Sequence, residues 1–403
     1  MIDASNPETE SMLRGRPVYV VDGRRTPFLK ARGKPGPLQA ADLAVGAGRS
    51  LLLEQPFEPE ALDEVILGCV SPGPDEANIA RVVSLRLGCG EATPAWTVQR
   101  NCASGLQALD SAAKDIATGR ADLVLAGGTE AMSHHPLLFS QAMVVWLAQW
   151  NRERRLHARL RHLVRLRTRH FTPVIALLRG LTDPVVGLSM GQTAENLALQ
   201  FAIPREAMDA FALRSHRHLA RARDAGQLAG EIVPLYDTGG RVYTHDDGLR
   251  EDTDMQRLGE LKPVFDRKFG QVTAGNSAQV TDGAALLLLA SEAGLKKHGL
   301  SPAARIVDIH WAGLDPSRMG LGPVYAMAPL LTRQGLDSSD VDAFEINEAF
   351  AAQVLACLAA WGDEEFCRNE LARDAPFSPI DEDRLNVDGG AIAIGHPVGA
   401  SGA

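Results

Sequence analysis

Cys102 is the residue whose setting most invites chemistry. It stands in Asn101-Cys102-Ala103-Ser104-Gly105, between the strand-like Trp96-Thr97-Val98 and an Ala- and Leu-rich stretch from Leu106 to Thr118. A thiolate is a nucleophile, and a helix N-terminus lowers a thiol's pKa through its free N–H groups and macrodipole. The small neighbours leave space for a substrate carbonyl against backbone N–H groups, an oxyanion-hole geometry. The alternative is a buried structural cysteine, the ordinary fate of an isolated Cys. His396, fixed between Gly395 and Pro397, could take the thiol's proton, although histidines in glycine-rich turns are commonly plain loop residues. Asn347, in Asn347-Glu348-Ala349-Phe350, could hold a water or a thioester oxygen; its simpler role is to cap the next helix. Cys69, Cys89, Cys357 and Cys367 fall on apolar or surface-helix patterns and read as structural.

These residues need a frame to hold them. Pro17 to Asp22 reads as a short buried strand ending at the turn Gly23 to Pro27, Ala40 to Leu53 has helical spacing, and Glu64 to Leu67 is a β-branched run closed by Gly68. Leu106 to Thr118 is apolar on most sides and therefore a buried helix. Gly119 ends it, and Asp122 to Ala126 is a core strand closed by Gly127-Gly128. Such β-α-β alternation implies a layered α/β domain. It resumes at Val272-Thr273 and Ala284 to Ala290. A second α/β stretch follows in Arg305 to Ile309, Val341 to Ile346, Ala349 to Ala360 and Gly389 to Ala403. The halves echo each other: each reads as a strand, a tight turn with a reactive side chain, then a helix opened by small residues. The match between Cys102 and His396 argues that both face one site. The sequence stops at Ala403, inside that helix's first turn, so the second half is expected to lack its buried helix and at least one central strand.

Bulk properties narrow the class. At 403 residues the chain is too long for one ordinary core. It is 45% hydrophobic and 23% charged, with a net charge of -9, which speaks for a soluble protein and against nucleic-acid binding. Five cysteines without metal-ligand spacing argue for reduced thiols and no metal site. The start, Met1 to Pro17, has neither a secretory apolar region nor the acid-poor character of a transit peptide, so the cytoplasm is the expected compartment. Between Pro136 and Met190 the character changes. Arg152, Arg154, Arg155, Arg159, Arg161, Arg165, Arg167, Arg169 and Arg179 face one acid, Glu153, with Leu156, Leu160, Leu163, Val164 and Leu166 interleaved at helical steps. The spacing predicts a basic amphipathic helix in an acidic protein.

The ordered motifs VQRNCASGLQAL, GGTEAMS, SMGQTAENLA, TAGNSAQVTDGAA, MGLGPV, EINEAFAAQ and GGAIAIGHPVGASGA resemble those of thiolases, the acetyl-CoA acyl- and acetyltransferases. Seven motifs in the family's order make the resemblance specific, and it runs from Val20 to the last residue. It implies an α/β thiolase fold: two duplicated α/β core domains in a five-layered αβαβα arrangement, with an inserted loop domain. The corresponding division is residues 1–135 with 270–293, an insertion over 136–269, and a second core over 294–403. By the same resemblance Cys102 is the acylated nucleophile, His396 its base, and Asn347 the holder of a catalytic water. Met190 and Met319 line the acyl and pantetheine pocket, with Ser277 and Gly395 also contacting substrate. Coenzyme A is then a substrate, no cofactor is bound covalently, and the expected assembly is a homodimer or homotetramer.

Three departures from the family pattern stand out. Thiolases continue into a Cys-Gly-Gly-Gly type segment whose cysteine moves a proton on the acetyl carbon. Without it, thiolysis is expected to slow by a factor of roughly 10² to 10⁴, and a truncated, impaired homologue acting as a scaffold is the rival reading. Ser189 stands where short-chain biosynthetic thiolases have histidine, and Ala278 replaces a serine near the pantetheine end. A decarboxylating ketoacyl synthase fits less well, because the Asn347 motif occupies the place of one of its two histidines. The Arg-rich insertion after His134-His135-Pro136, and the tail EEFCRNELARDAP, resemble the thiolase subunits of fatty-acid β-oxidation complexes. That resemblance implies a hydratase/dehydrogenase partner subunit and peripheral membrane contact through residues 150–180. A solvated helix packed on the chain's own loop domain is the alternative.

Overall fold

A computed structural model describes residues 13–403; the reading of the start of the chain falls largely on residues 1–12, outside the described residues. The first elements are β1 (Val18–Arg25), β2 (Leu29–Lys30), α1 (Ala40–Leu53), β3 (Glu64–Gly68), α2 (Ile79–Leu87), β4 (Ala95–Val98), α3 (Ser104–Ala117) and β5 (Leu123–Ala131). The insertion holds β6 (Leu137–Leu138), α4 (Gln141–Arg152), α5 (Leu156–Leu163), α6 (Thr168–Phe171), β7 (Val174–Ile175) and α7 (Ala176–Gly180). It continues through α8 (Met190–Gln200), α9 (Arg205–Asp224), β8 (Leu235–Tyr236), β9 (Val242–Tyr243) and α10 (Met255–Gly259). The chain then forms β10 (Thr281–Ser291), α11 (Glu292–His298), β11 (Ala304–Ile306), α12 (Gly322–Gln334), α13 (Ala351–Gly362), α14 (Glu364–Glu370) and α15 (Ala391–Ile394).

One mixed sheet, in the order β11-β1-β10-β5-β3-β4 with β2 also on β10, carries the first half. Strands β10 and β5 pair antiparallel over Asp282 to Ala290 and Leu123 to Ala131, whereas β5-β3 and β3-β4 are parallel. The central strands are buried along nearly their whole length, which is why both read as continuous apolar runs instead of alternating ones. Helices α1 and α2 cover one face through Leu43, Leu51, Ile79 and Val83. The other face is covered by α3 through Ala108, Ala112 and Ile116. With α3 wedged there, Cys102 lies one residue before the N-cap, Ala103, of a helix whose apolar flank is locked against the sheet.

Several expectations are corrected. Strand β5 does not stop at Gly127-Gly128 but runs through them to Ala131. A Cβ at Gly127 would overlap the Ala285 carbonyl, and one at Gly128 the Gly399 carbonyl. These glycines therefore serve close backbone approach, not a turn. The Arg-rich stretch is not one helix but three, α4 to α6; at Glu153 and Arg155 the backbone is extended. Like charges packed along one face give no axial support to a continuous helix. The segment before His396 is the helical turn α15, not a strand. Of Arg305 to Ile309 only Arg305 and Ile306 are in a strand, as part of β11, which joins the first sheet beside β1.

Among the described residues the second half forms no sheet of its own; the two further sheets, β6-β7 and β8-β9, are two-stranded and lie in the insertion. Val341 to Ile346 makes a single bridge, Phe344 to Leu385, and its last residue is paired by a side chain. The Asn386 amide accepts from Ile346 N at 2.9 Å and donates to Ile346 O at 2.9 Å. The α/β class and thiolase-type first layers hold; around them the second half packs α8, α9 and α12 to α14 through Leu197, Phe211, Val324, Trp361 and Phe366.

Candidate active site

The histidine is built from its backbone outward. Gly395 adopts φ +113°, and a Cβ there would collide with Thr281, so only glycine turns the chain at this point. His396 N then donates to Gln279 O at 3.1 Å. Ser401 Oγ donates to Pro397 O at 3.1 Å, which commits its hydrogen, and lies 2.7 Å from His396 Nδ1. The ring must therefore donate from Nδ1, leaving Nε2 with a free lone pair. Asn347 Nδ2 donates to that Nε2 at 3.4 Å. The ring is buried, and burial depresses its pKa to about 4, so at neutral pH it is an uncharged base with its lone pair aimed at Asn347.

Asn347 is itself exposed. It is held by what flanks it. Ala278 N donates to Ala349 O and Ala351 N to Asn276 O, both at 2.9 Å. Next to it, buried Glu348 accepts from Ser215 Oγ (2.6 Å), Asn386 Nδ2 (2.8 Å) and Ile392 N (3.2 Å). One carboxylate thus ties α9, the 386 loop and the turn of α15 together under Asn347.

Cys102 is half-buried at the foot of α3. Asn101 before it is left-handed, φ +46°. The expected lowering of its pKa by the helix end is not found: burial pushes the thiol up to about 11, aided by Glu130. The physical reason is desolvation: the loss of water around the sulfur outweighs the one backbone donor that favours the thiolate, the N–H of Cys102 itself. Ala103 N bonds Arg100 O and Ser104 N bonds Asn101 O, each at 3.0 Å.

The turn carrying His396 reaches this foot. A Cβ on Gly402 would lie 2.7 Å from Leu106 N, and one on Gly105 would lie 2.9 Å from Ala403 N. The two halves thus meet at the first turn of α3. Among the described residues, His396 and Asn347 are hydrogen-bonded to one another, whereas no hydrogen bond joins Cys102 Sγ to His396.

The remaining expected contacts divide. Ser277 is buried and its hydroxyl donates to Thr273 O at 2.6 Å. Met190 opens α8 half-buried, and Met319 is 40% exposed in the turn from Pro316 to Leu321. Asn196 Nδ2 donates to Ser317 O, joining these two neighbouring elements. Phe265 packs against Gly191 and, edge-on at 5.7 Å, against Phe350.

Sequence reading missed Phe265 and two carboxylates, Glu130 and Glu348. Glu130 is buried at the end of β5, accepting from Val70 N (2.8 Å) and Ser71 N (3.1 Å). Their signal was present: acids inside otherwise apolar motifs must be paired. A cavity of about 310 Å³ lined by Leu219, Ile232, Asp246 and Leu249 includes none of Cys102, His396 and Asn347. No group of metal-ligating side chains occurs among the described residues, nor any helix long and apolar enough to cross a membrane.

Solved structures with this architecture include thiolases and an acetyl-CoA acetyltransferase. The Bacillus anthracis acetyl-CoA acetyltransferase superposes with a TM-score of 0.81 at 35% identity, covering 96% of this chain and 90% of that one. Human mitochondrial 3-ketoacyl-CoA thiolase, solved in complex with CoA, gives 0.80 at 37%, covering 97% and 89%. In sequence, the thiolase N-terminal domain matches residues 18–293 and the thiolase C-terminal domain residues 300–403. The 3-oxoadipyl-CoA/3-oxo-5,6-dehydrosuberyl-CoA thiolase of Escherichia coli K12 is 41% identical over 394 residues, with 96% of this chain and 90% of the relative covered. A 3-ketoacyl-CoA thiolase of Yersinia enterocolitica is 36% identical over 392 residues, covering 97% and 89%. The chain belongs to the thiolase family, and its chemistry is that family's acyl transfer.

Proposed function

We propose that the chain catalyses thiolysis of a 3-oxoacyl-CoA, or the reverse Claisen condensation, through an acyl group on Cys102. Cys102 Sγ bonds to the 3-keto carbon while its proton passes to His396 Nε2. The C2–C3 bond breaks, its electron pair stays on the acetyl-CoA carbon, and that carbon takes the proton that His396 Nε2 received from Cys102. Coenzyme A's thiol then attacks the acyl-Cys102 thioester, giving a shortened acyl-CoA and the free thiol. Asn347, exposed beside Nε2, orients the thioester oxygen or a water near it. The single observation that carries this reading is the closed set of bonds around His396, Nδ1 on Ser401 and Nε2 facing Asn347, on a turn that packs against the foot of α3.

Phe265, Phe350, Met190 and Met319 form the apolar flank we assign to the acyl and pantetheine arm, with Gly395 required for the turn. The division into 1–135 with 270–293, 136–269 and 294–403 is supported by β5 and β10, which pair directly while the chain between them makes its excursion outside this sheet. A role in β-oxidation, a homo-oligomeric state, a hydratase/dehydrogenase partner, a cytoplasmic setting and membrane contact through 150–180 complete the proposal. Incubation with acetyl-CoA followed by peptide mass spectrometry tests its centre. The acyl group should appear on the Cys102 peptide in wild type and be absent in Cys102→Ala. Acylation elsewhere, or turnover by Cys102→Ala, would overturn it.

A further inference from the structure

The two residues that flank the nucleophile's turn are held very differently. On the inner side, Arg100 N donates to Ser104 Oγ (2.8 Å), and that hydroxyl donates to Asn101 O (2.7 Å). On the outer side the Arg100 side chain ties the turn to its neighbours. Its guanidinium carbon lies 4.2 Å from the centre of the Trp311 ring, and its Nε donates to Gln107 Oε1 at 2.8 Å. Trp311 is fixed in turn: its Nε1 donates to Asp110 Oδ2 at 3.0 Å. The same Asp110 oxygen accepts from Gln107 Nε2 (3.1 Å) and Lys114 Nζ (2.7 Å). Asp110 is 1% exposed, so this carboxylate is satisfied by three donors in a dry place, where hydrogen bonds are strong.

We propose that Arg100 and Trp311, anchored on Asp110, form a clamp that positions the Cys102 turn for acylation. The proposal rests on Cys102 being the nucleophile. Asn101 sits in the left-handed region at φ +46°, a conformation that asparagine tolerates better than most residues and that the contacts around it select here. Ser104 imposes it from within; Arg100 imposes it from outside by tying the residue just before the turn to α3 and to Trp311. Because Trp311 lies beyond β11, about two hundred residues along the chain, the clamp also makes the second half report on the nucleophile's geometry. Arg100 acts by position and not by charge: the neighbouring charge that bears on the thiol is Glu130. These are positioning residues, since neither touches a reacting atom.

The test uses the full chain with Arg100→Ala, Arg100→Lys, Trp311→Ala and Trp311→Phe. Two readouts are taken at the Cys102 peptide: single-turnover acylation by acetyl-CoA, and the pH profile of iodoacetamide alkylation. Displacement of a reacting atom by about 1 Å is enough for a rate loss near a hundredfold. Arg100→Ala, Arg100→Lys and Trp311→Ala should therefore lower the acylation rate tenfold or more while half-saturation by acetyl-CoA moves less than about twofold. Trp311→Phe, which keeps a ring face for the guanidinium, should recover most of the rate. The alkylation midpoint should fall in the first three variants as the loosened turn admits water. A wild-type rate in Arg100→Lys, or an alkylation profile unmoved in all four, would overturn the clamp. If acetyl-CoA leaves wild-type Cys102 untouched, the nucleophile assignment itself has failed, and the alkylation profile still decides whether the clamp exists.

Discussion

At neutral pH Cys102 carries its proton and His396 carries none, since burial places their pKa values at about 11 and about 4. The pair is not a preformed thiolate–imidazolium, so the proton must move as the carbon–sulfur bond forms. Alkylation of Cys102 in the free protein should consequently rise about tenfold per pH unit and keep rising past pH 8.5, where an ordinary thiol levels off. A plateau near pH 8 in the peptide-resolved profile would sink this. His396 also bears on stability, and the sign follows from its depressed pKa. Between about 4 and its ordinary 6.5 the unfolded chain holds a proton there that the folded one refuses. Its neutral form stabilises the fold above 6.5, and that contribution, on the order of 3 kcal/mol, is lost as pH falls towards 4. Glu345, raised to about 7 by burial and by Glu348, works in the opposite direction but is common to wild type and variant. Urea unfolding at pH 7 and pH 4.5 should therefore show wild type losing more stability than His396→Asn; equal losses would refute the assignment.

The elements show what the sequence carried and what it concealed. Helices α1 and α3 and strands β3 and β4 lie where helical spacing and apolar or β-branched runs put them, because local composition alone marks such buried elements. Gly127-Gly128 misled for a physical reason: glycine marks both a turn and a site where two backbones touch, and only the partner decides. That partner is Gly399, two hundred and seventy residues away in order of magnitude, so no local pattern could name it. The same holds for the 341–346 segment, whose strand-like composition leads to a single bridge and, at its last residue, the Asn386 amide. Cys102, His396 and Asn347 stood out as candidates because their types are chemically scarce; the thiol's raised pKa did not, because it depends on how the folded chain buries the sulfur. Gly128→Ala tests the contact directly. The added methyl must push the Gly399 carbonyl off β5, dragging with it the turn that holds His396. We expect a loss of about 1–3 kcal/mol in urea unfolding together with a drop in Cys102 acylation larger than the unfolded fraction explains. Wild-type acylation in a folded Gly128→Ala protein would show that the approach of the two halves there is not needed for chemistry.

Across the whole molecule, charge is unevenly spread. A chain of net charge -9 concentrates arginines between 152 and 179, and the same region leaves Leu138, Phe139, Leu156, Leu160, Leu163, Val164, Phe171 and Leu178 exposed. Arg159 is not part of that display, for its Nε donates to Glu153 O and its guanidinium packs on Trp150. Arg154, Arg161 and Arg165 are exposed and are available to a partner surface. Exposed apolar side chains interleaved with arginines suit an anionic lipid surface, where each basic residue contributes about 1 kcal/mol. Reversing Arg154, Arg161 and Arg165 to Glu should thus weaken sedimentation with phosphatidylserine-containing vesicles by about a hundredfold or more, corresponding to at least about 3 kcal/mol. Neutral phosphatidylcholine vesicles should bind wild type and variant alike and weakly, and raising salt should erase most of the anionic preference, since exposed charges are screened within about 10 Å at 0.1 M. Because the substituted side chains lie on α5 and its flanks and none belongs to the Cys102 turn, acylation of Cys102 should be unchanged. Equal binding of wild type to anionic and neutral vesicles would remove the lipid assignment and leave these arginines as a solvated surface of the insertion.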